Sequence, residues 1–152
     1  MAVKPIPDGY HTVTPYLVVR GAPAVIEFLK KAFGAELPVE PTKRPDGTIM
    51  HAEVKIGDSR VMIGEENDMA KATLSSLYLY VPNVDSVYQL AVKAGGTPVM
   101  APMDMFYGDR SGSVKDPSGN SWFIATRVED VAPQELAKRA DAFVKQQKGK
   151  AA

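Results

Sequence analysis

Two short stretches concentrate the side chains that could do chemistry. In His51-Ala52-Glu53 an imidazole and a carboxylate stand two residues apart. On an extended strand that spacing puts both on one face. There an imidazole, which ordinarily titrates near neutrality, could move a proton while the carboxylate orients it or acts as base. The same spacing fits a hydrogen-bonded polar pair that ties strands together, the plainer of the two readings. In Tyr107-Gly108-Asp109-Arg110 the glycine permits an unusual backbone. Asp109 and Arg110 could grip a ligand carboxylate or, more simply, pair with each other across a bulged hairpin. The chain has no cysteine, which removes disulfides, thiolate nucleophiles and cysteine-ligated metals. No glycine-rich phosphate loop, Ser-His-Asp order or basic aromatic patch stands out.

The elements that must hold these residues are written twice. A shift of 62 residues, without a gap, lays Tyr16, Leu17 and Val19 on Tyr78, Leu79 and Val81, and Val25 on Val87. It also lays Lys31, Ala32 and Gly34 on Lys93, Ala94 and Gly96, and Gly57 and Ser59 on Gly119 and Ser121. The identities fall in a strand, a helix with its glycine stop, and a hairpin turn, so two similar modules must pack on each other. Residues 11–19 read as a strand. Residues 22–33 read as a helix with apolar positions at helical spacing, Lys30 and Lys31 in its last turn and Gly34 beyond. A weak strand at 36–43 carries Pro38 and Pro41. After the turn Pro45-Asp46-Gly47, strands are expected at 49–56 and 60–63, and a polar linker at 64–74. The order then recurs: strand 74–81, helix 84–93, strands 97–102 and 105–114, and strand 121–126 after the turn 116–120. A helix beginning at Pro133 and reaching roughly Lys145 closes the chain.

The 152 residues suit one domain of two fused modules, because halves of this size bury too little surface alone. Module one covers about 11–66, module two about 74–128, and the C-terminal helix about 133–147. Eighteen basic and eighteen acidic residues cancel, which argues against nucleic acid or an anionic membrane as partner. The first residues hold no apolar run long enough for a signal peptide or membrane span, so a cytoplasmic protein is expected.

The phrases TPYLVVRGAPAVIEFLKKAFGAE, PDGTIMHAEVKIGDSRVMIGEE, FYGDRSGSVKDPSGNSW and EDVAPQEL, set in a tandem βαβββ order, resemble the vicinal oxygen chelate superfamily. That superfamily includes glyoxalases, extradiol dioxygenases and bleomycin-resistance proteins. The resemblance covers about residues 8–140 and is closest to the PhnB-like, glyoxalase/bleomycin-resistance branch. Two departures are Pro117-Ser118-Gly119-Asn120, where that branch reads Pro-Phe-Gly-His, and Leu29, where it has Tyr. The resemblance implies an α+β fold of tandem βαβββ modules with a C-terminal helix, a ligand groove between the modules, and a homodimer formed by pairing edges or exchanging modules. In metal-binding members each module gives one ligand from its first strand and one from its last. Those positions fall on Thr14, Val61, Ser76 and Phe123, none a usual ligand for zinc, nickel, iron or manganese. No metal and no cofactor are therefore expected. A relocated metal site would have to draw on His11, His51, Glu53, Glu65 and Glu66, the least favoured alternative.

Alternation then gives the groove face. Thr14, Tyr16 and Val18 and Ser76, Tyr78 and Tyr80 should line it with His51 and Glu53, and the ligand positions that the resemblance implies add Val61, Ile63, Phe123 and Ala125, while Trp122 faces the helices as core. An aromatic trough with a few hydroxyls suits a flat organic ligand held by Tyr16, Tyr78, Tyr80, Phe123, Tyr107, Asp109 and Arg110. The competing reading for each tyrosine is simple core filling. The expected function is metal-free binding of a hydrophobic or aromatic small molecule. The alternative is a metal-independent lyase or isomerase of a carbonyl compound using His51 and Glu53.

Overall fold

The computed structural model describes residues 2–151. Its elements run β1 (Tyr16–Val19), α1 (Ala22–Phe33), β2 (Thr42–Lys43), β3 (Ile49–Ile56), β4 (Ser59–Glu65), β5 (Ser76–Tyr80), α2 (Val84–Lys93), β6 (Thr97–Asp104), β7 (Asp109–Lys115), β8 (Ser121–Arg127) and α3 (Pro133–Ala151). Two four-stranded sheets result, ordered β1-β4-β3-β2 and β5-β8-β7-β6. In each the first strand runs parallel to the last, and the other pairs are antiparallel.

Helix α1 forms where the periodicity places it. Val25, Ile26, Phe28, Leu29 and Ala32 fall on one stripe and are buried, and Gly34 at φ 66° lets the chain leave through a left-handed cap. The expected strand at 11–19 shrinks to four residues, because Pro15 has no amide to give a ladder. The weak strand at 36–43 survives as β2 and one isolated bridge between Glu36 and Lys55. Helix α3 runs longer than its apolar stripe, to Ala151, with no buried residue. Among the described residues no helix is long and apolar enough to cross a membrane.

One core serves both modules. Helix α1 packs on β3 and β4, α2 packs on β6, β7 and β8, and the two helices pack on each other. The side chains between them form a single buried cluster that includes Leu17, Val54, Val61 and Ile63 from sheet one and Val114, Trp122 and Ile124 from sheet two. Phe33, at the end of α1, lies 5.3 Å from fully buried Trp122. The layers are thus sheet, helix, helix, sheet, and each sheet turns its other face outward. That arrangement changes the expected site, since the two outward faces do not close one shared groove within a chain.

The gapless repeat also slips. Tyr16 stands beside Met62, whereas Tyr78 stands beside Phe123. The first strands are thus related by a shift of 62 and the last strands by 61. The slip arises before the hairpins: Val54 stands beside Val61 and Val114 beside Trp122, so β3 and β7 are related by a shift of 60, and the longer second hairpin gives one residue back. Side chains alternate along a strand, so a one-residue slip reverses faces. Val61 and Ile63 therefore point into the core, at 4% and 0% exposure, and not into a groove. Met62 takes the outward position that the repeat had assigned to Val61.

Candidate functional site

The outward face of sheet one gathers Tyr16, His51, Glu53, Arg60 and Met62. His51 Nδ1 lies 3.4 Å from the Tyr16 hydroxyl, and the two rings sit 5.7 Å apart. His51 Nε2 is 3.7 Å from Glu53, and Arg60 is 3.6 Å from the other carboxylate oxygen. Arg60 also stacks over Tyr10, 5.2 Å from its ring centroid. Burial, followed by the neighbouring Glu53 carboxylate, pushes the Tyr10 phenol above its usual pKa. Tyr16 lies close over the sheet because Gly64 beneath it has no side chain; a Cβ there would come 3.0 Å from the tyrosine hydroxyl. Glu53 is thus held between two cationic or potentially cationic groups, both farther than the roughly 2.6–3.2 Å that a direct proton relay needs.

The expected alternative metal ligands are spent elsewhere. The Glu65 carboxylate accepts the amides of Gly21 and Ala22 at 2.8 and 2.7 Å. It caps an α1 terminus whose own N-cap, Gly21, has no side chain to offer. Glu66 accepts Arg20 Nε at 2.7 Å and the Ala72 amide at 2.9 Å. His11 is exposed, and its carbonyl accepts only the Thr14 hydroxyl, at 3.4 Å. Glu65 and Glu66, read from sequence as part of a solvated linker, are structural.

The outward face of sheet two is different in kind. Tyr78 and Tyr80 donate their hydroxyls to one carboxylate oxygen of Asp109, at 2.8 and 2.9 Å. The Tyr107 hydroxyl is 3.4 Å from that of Tyr78. Tyr78 stacks on Phe123 at 5.8 Å and tilts against Tyr80 at 5.3 Å. Asp109 is 3% exposed, while Tyr78, Tyr80 and Tyr107 remain 41%, 64% and 37% exposed. Burial, then the hydrogen bonds to Tyr107 and Asp109, drive the Tyr78 phenol far above its usual pKa. The bond to Asp109 raises that of Tyr80. Both stay protonated and keep donating.

Gly108, at φ 100°, positions this cluster. A side chain there would run into the carbonyl oxygen of Glu129, whose amide and that of Val128 donate to the Gly108 carbonyl. The expected pairing of Asp109 with Arg110 does not occur. Successive strand residues face opposite ways, and Arg110 turns to Asp85, with two bonds of 2.9 Å, and to Asp104 at 3.3 Å. Arg110 is a structural tie between α2 and sheet two and leaves the ligand-binding set.

A third region lies between the modules. The edges of β1 and β5 do not pair, and a cleft of about 1330 Å³ opens between them. It is bordered by Thr14, Tyr16, Ser76, Tyr78 and Tyr80, with Trp122 deep within. His51, Glu53, Phe123, Tyr107, Asp109 and Arg110 lie outside that lining. This cleft is therefore not where the densest polar chemistry is. The sequence brought Tyr16, Tyr78 and Tyr80 together correctly but merged three surfaces into one. It named Tyr78, Tyr80 and Asp109 without the phenol-to-carboxylate bonds, whose signal was only that all three share outward parity on β5 and β7, the strands on either side of β8. It missed Arg60 and Tyr10, which nothing in the periodicity marks.

The positions a metal would use in this architecture carry a threonine, a methionine (Met62 after the register correction), a serine and a phenylalanine. Their donor set does not fit a hard or borderline divalent ion. Among the described residues no three His, Cys, Asp or Glu side chains converge to replace it.

The architecture and these sequence phrases have counterparts. A family model described as the Glyoxalase/Bleomycin resistance protein/Dioxygenase superfamily matches residues 10–124. An uncharacterized protein of Mycobacterium bovis is 35% identical over 136 residues, covering 82% of this chain and 88% of its own. Among solved structures, TioX from Micromonospora sp. ML1 superposes with TM-score 0.62 at 22% identity, covering 80% of this chain and 100% of its own. A PhnB protein from Bacillus cereus gives TM-score 0.61 at 21% identity over 76% of this chain and 99% of its own. Two sheets of the same strand order, an interior helix pair and a match over most of both modules make this chain a member of the glyoxalase/bleomycin resistance protein/dioxygenase superfamily.

Proposed function

We propose that this protein binds an organic small molecule with a flat apolar surface, without a resident metal, on the outward aromatic face of sheet two. The observation that carries the reading is the wall formed by Tyr78, Tyr80, Tyr107 and Phe123, with its three tyrosines left open on a rigid sheet. Exposed aromatic clusters with a few fixed polar groups are the usual makings of a ligand site. A single chain covers that wall from one side only. A second copy, in a homodimer, would supply the opposite wall with the outward face of its sheet one, which carries Tyr16, His51 and Glu53.

The enzymatic alternative, a metal-independent lyase or isomerase using His51 and Glu53, has less to stand on. Glu53 is engaged by Arg60, and its 3.7 Å separation from His51 is long for a working proton pair. The test is an amide NMR titration of the intact protein with 1-naphthol, a neutral flat probe. Shifts confined to β5, β7, β8 and the 105–108 turn support binding at this face. No perturbation there at millimolar probe would sink the reading.

A further inference from the structure

The polar heart of the sheet-two face is a carboxylate with no ion-pair partner in contact among the described residues. Asp109 is 3% exposed and forms no salt bridge among the described residues. Its two hydrogen-bond donors are neutral phenols. Arg110 faces away, as described. Arg127 stands opposite Asp109 across the β7–β8 pair and feels its charge, but its guanidinium donates to Asp130 at 2.7 Å and not to Asp109. A buried carboxylate whose direct donors are neutral is only partly offset by a cation that pairs elsewhere, and the low dielectric around it lets the remaining potential reach the surface.

The surface it reaches is aromatic. A phenol that donates to a carboxylate gains electron density in its ring, and the faces of such rings attract cations. Tyr78 and Tyr80 both do so, with Tyr107 and Phe123 completing a four-ring wall. Ser111, buried on the same strand face as Asp109, sets its hydroxyl near that of Tyr78.

We infer that the sheet-two face selects ligands carrying a positively charged nitrogen, an alkylammonium or quaternary ammonium group, seated against Tyr78, Tyr80 and Tyr107 above the Asp109 carboxylate. This rests on the proposed function and narrows its ligand class. The partly apolar rings hold the alkyl groups, and the buried carboxylate supplies the long-range attraction that a purely aromatic trough lacks. Sheet one offers no equivalent, since its Glu53 is already neutralised by Arg60.

The experiment compares three probes by amide NMR titration. Choline and 3,3-dimethylbutan-1-ol have the same shape and differ by one charge, and 1-naphthol reports the face without charge. Choline should bind about tenfold tighter than its neutral isostere. Asp109→Asn should erase most of that preference, read as the ratio of choline to 3,3-dimethylbutan-1-ol affinity in the same variant. Tyr80→Phe keeps an exposed ring, removes one phenol from the carboxylate, and should lower the preference by about two- to threefold. If Asp109→Asn loses its dispersed spectrum, Tyr80→Phe decides, and an unchanged choline preference there overturns the inference. Equal binding of choline and its isostere alongside 1-naphthol binding overturns the cation inference and spares the proposed function. Failure of all three probes overturns both.

Discussion

The same strand position caps a helix in both modules, with different chemistry. Glu65 ends β4 and takes the first two amides of α1, Gly21 and Ala22, on its carboxylate. Thr126, 61 residues later on β8, accepts the Val84 amide at 2.9 Å and donates to the Val81 carbonyl at 2.8 Å. The difference follows from the helix each serves. Helix α1 begins at a glycine with nothing to offer, so the cap is imported and charged. Helix α2 begins at Asn83, whose side chain already accepts the Ser86 amide, so a hydroxyl is enough. The repeated backbone decides where a group sits, and the local sequence decides what the group must be. The outward faces follow the same rule, with Glu53 paired to Arg60 in one module and Asp109 left to two phenols in the other.

The strongest way to break the comparison is through the register. The structural counterpart of Val61 is Trp122, and both face the helices. Trp122→Ala should cost about 3–5 kcal/mol and Val61→Ala about 2 kcal/mol in urea unfolding. Met62→Ala, on the outward face, should cost under about 1 kcal/mol. A larger loss at Met62 than at Val61 would restore the gapless 62-residue repeat and reverse the faces of β4.

The caps come next. Glu65→Ala removes a charged acceptor shared by two amides and should cost about 2–3 kcal/mol. Thr126→Val should cost about 1 kcal/mol, because Asn83 remains. Equal losses would mean that α1 is held by its packing rather than by its imported cap.

These residues also show what sequence could reveal. Both helices, β3 and the role of Trp122 were legible, because each depends on a local period or on a side chain with one obvious destination. The identity of Gly57 with Gly119 was real, since both take positive φ in hairpin turns. It concealed one extra residue in the second hairpin, where Asp116 accepts the Trp122 indole at 2.9 Å and the Ser118 and Asn120 amides at 2.9 and 3.0 Å. A loop that closes on its own buried aspartate can lengthen without breaking either strand, and no periodicity registers the change. Glu65 and Arg110 were misread for a related reason. Their partners are 44 and 25 residues away, a separation that only the fold resolves.

The smallest effect concerns Glu66, the residue after the α1 cap and the counterpart of Arg127 in module two. The Ala72 amide, with help from Arg20, holds its carboxyl below the ordinary value of 4.5. Its folded form therefore binds fewer protons than its unfolded form in acid, so its contribution is present above about pH 4.5 and fades as pH falls below that. Arg127 carries the opposite charge at the matching place, and its pairing with Asp130 raises its pKa, so it keeps its own proton throughout that range. Glu66→Gln should lower the urea midpoint slightly at pH 7 and flatten its decline between pH 5 and 3. The gap between variant and parent should close as the pH falls. A gap that widens in acid would mean that Glu66 does not hold the Ala72 amide as a carboxylate, and that the two modules differ here in sequence alone.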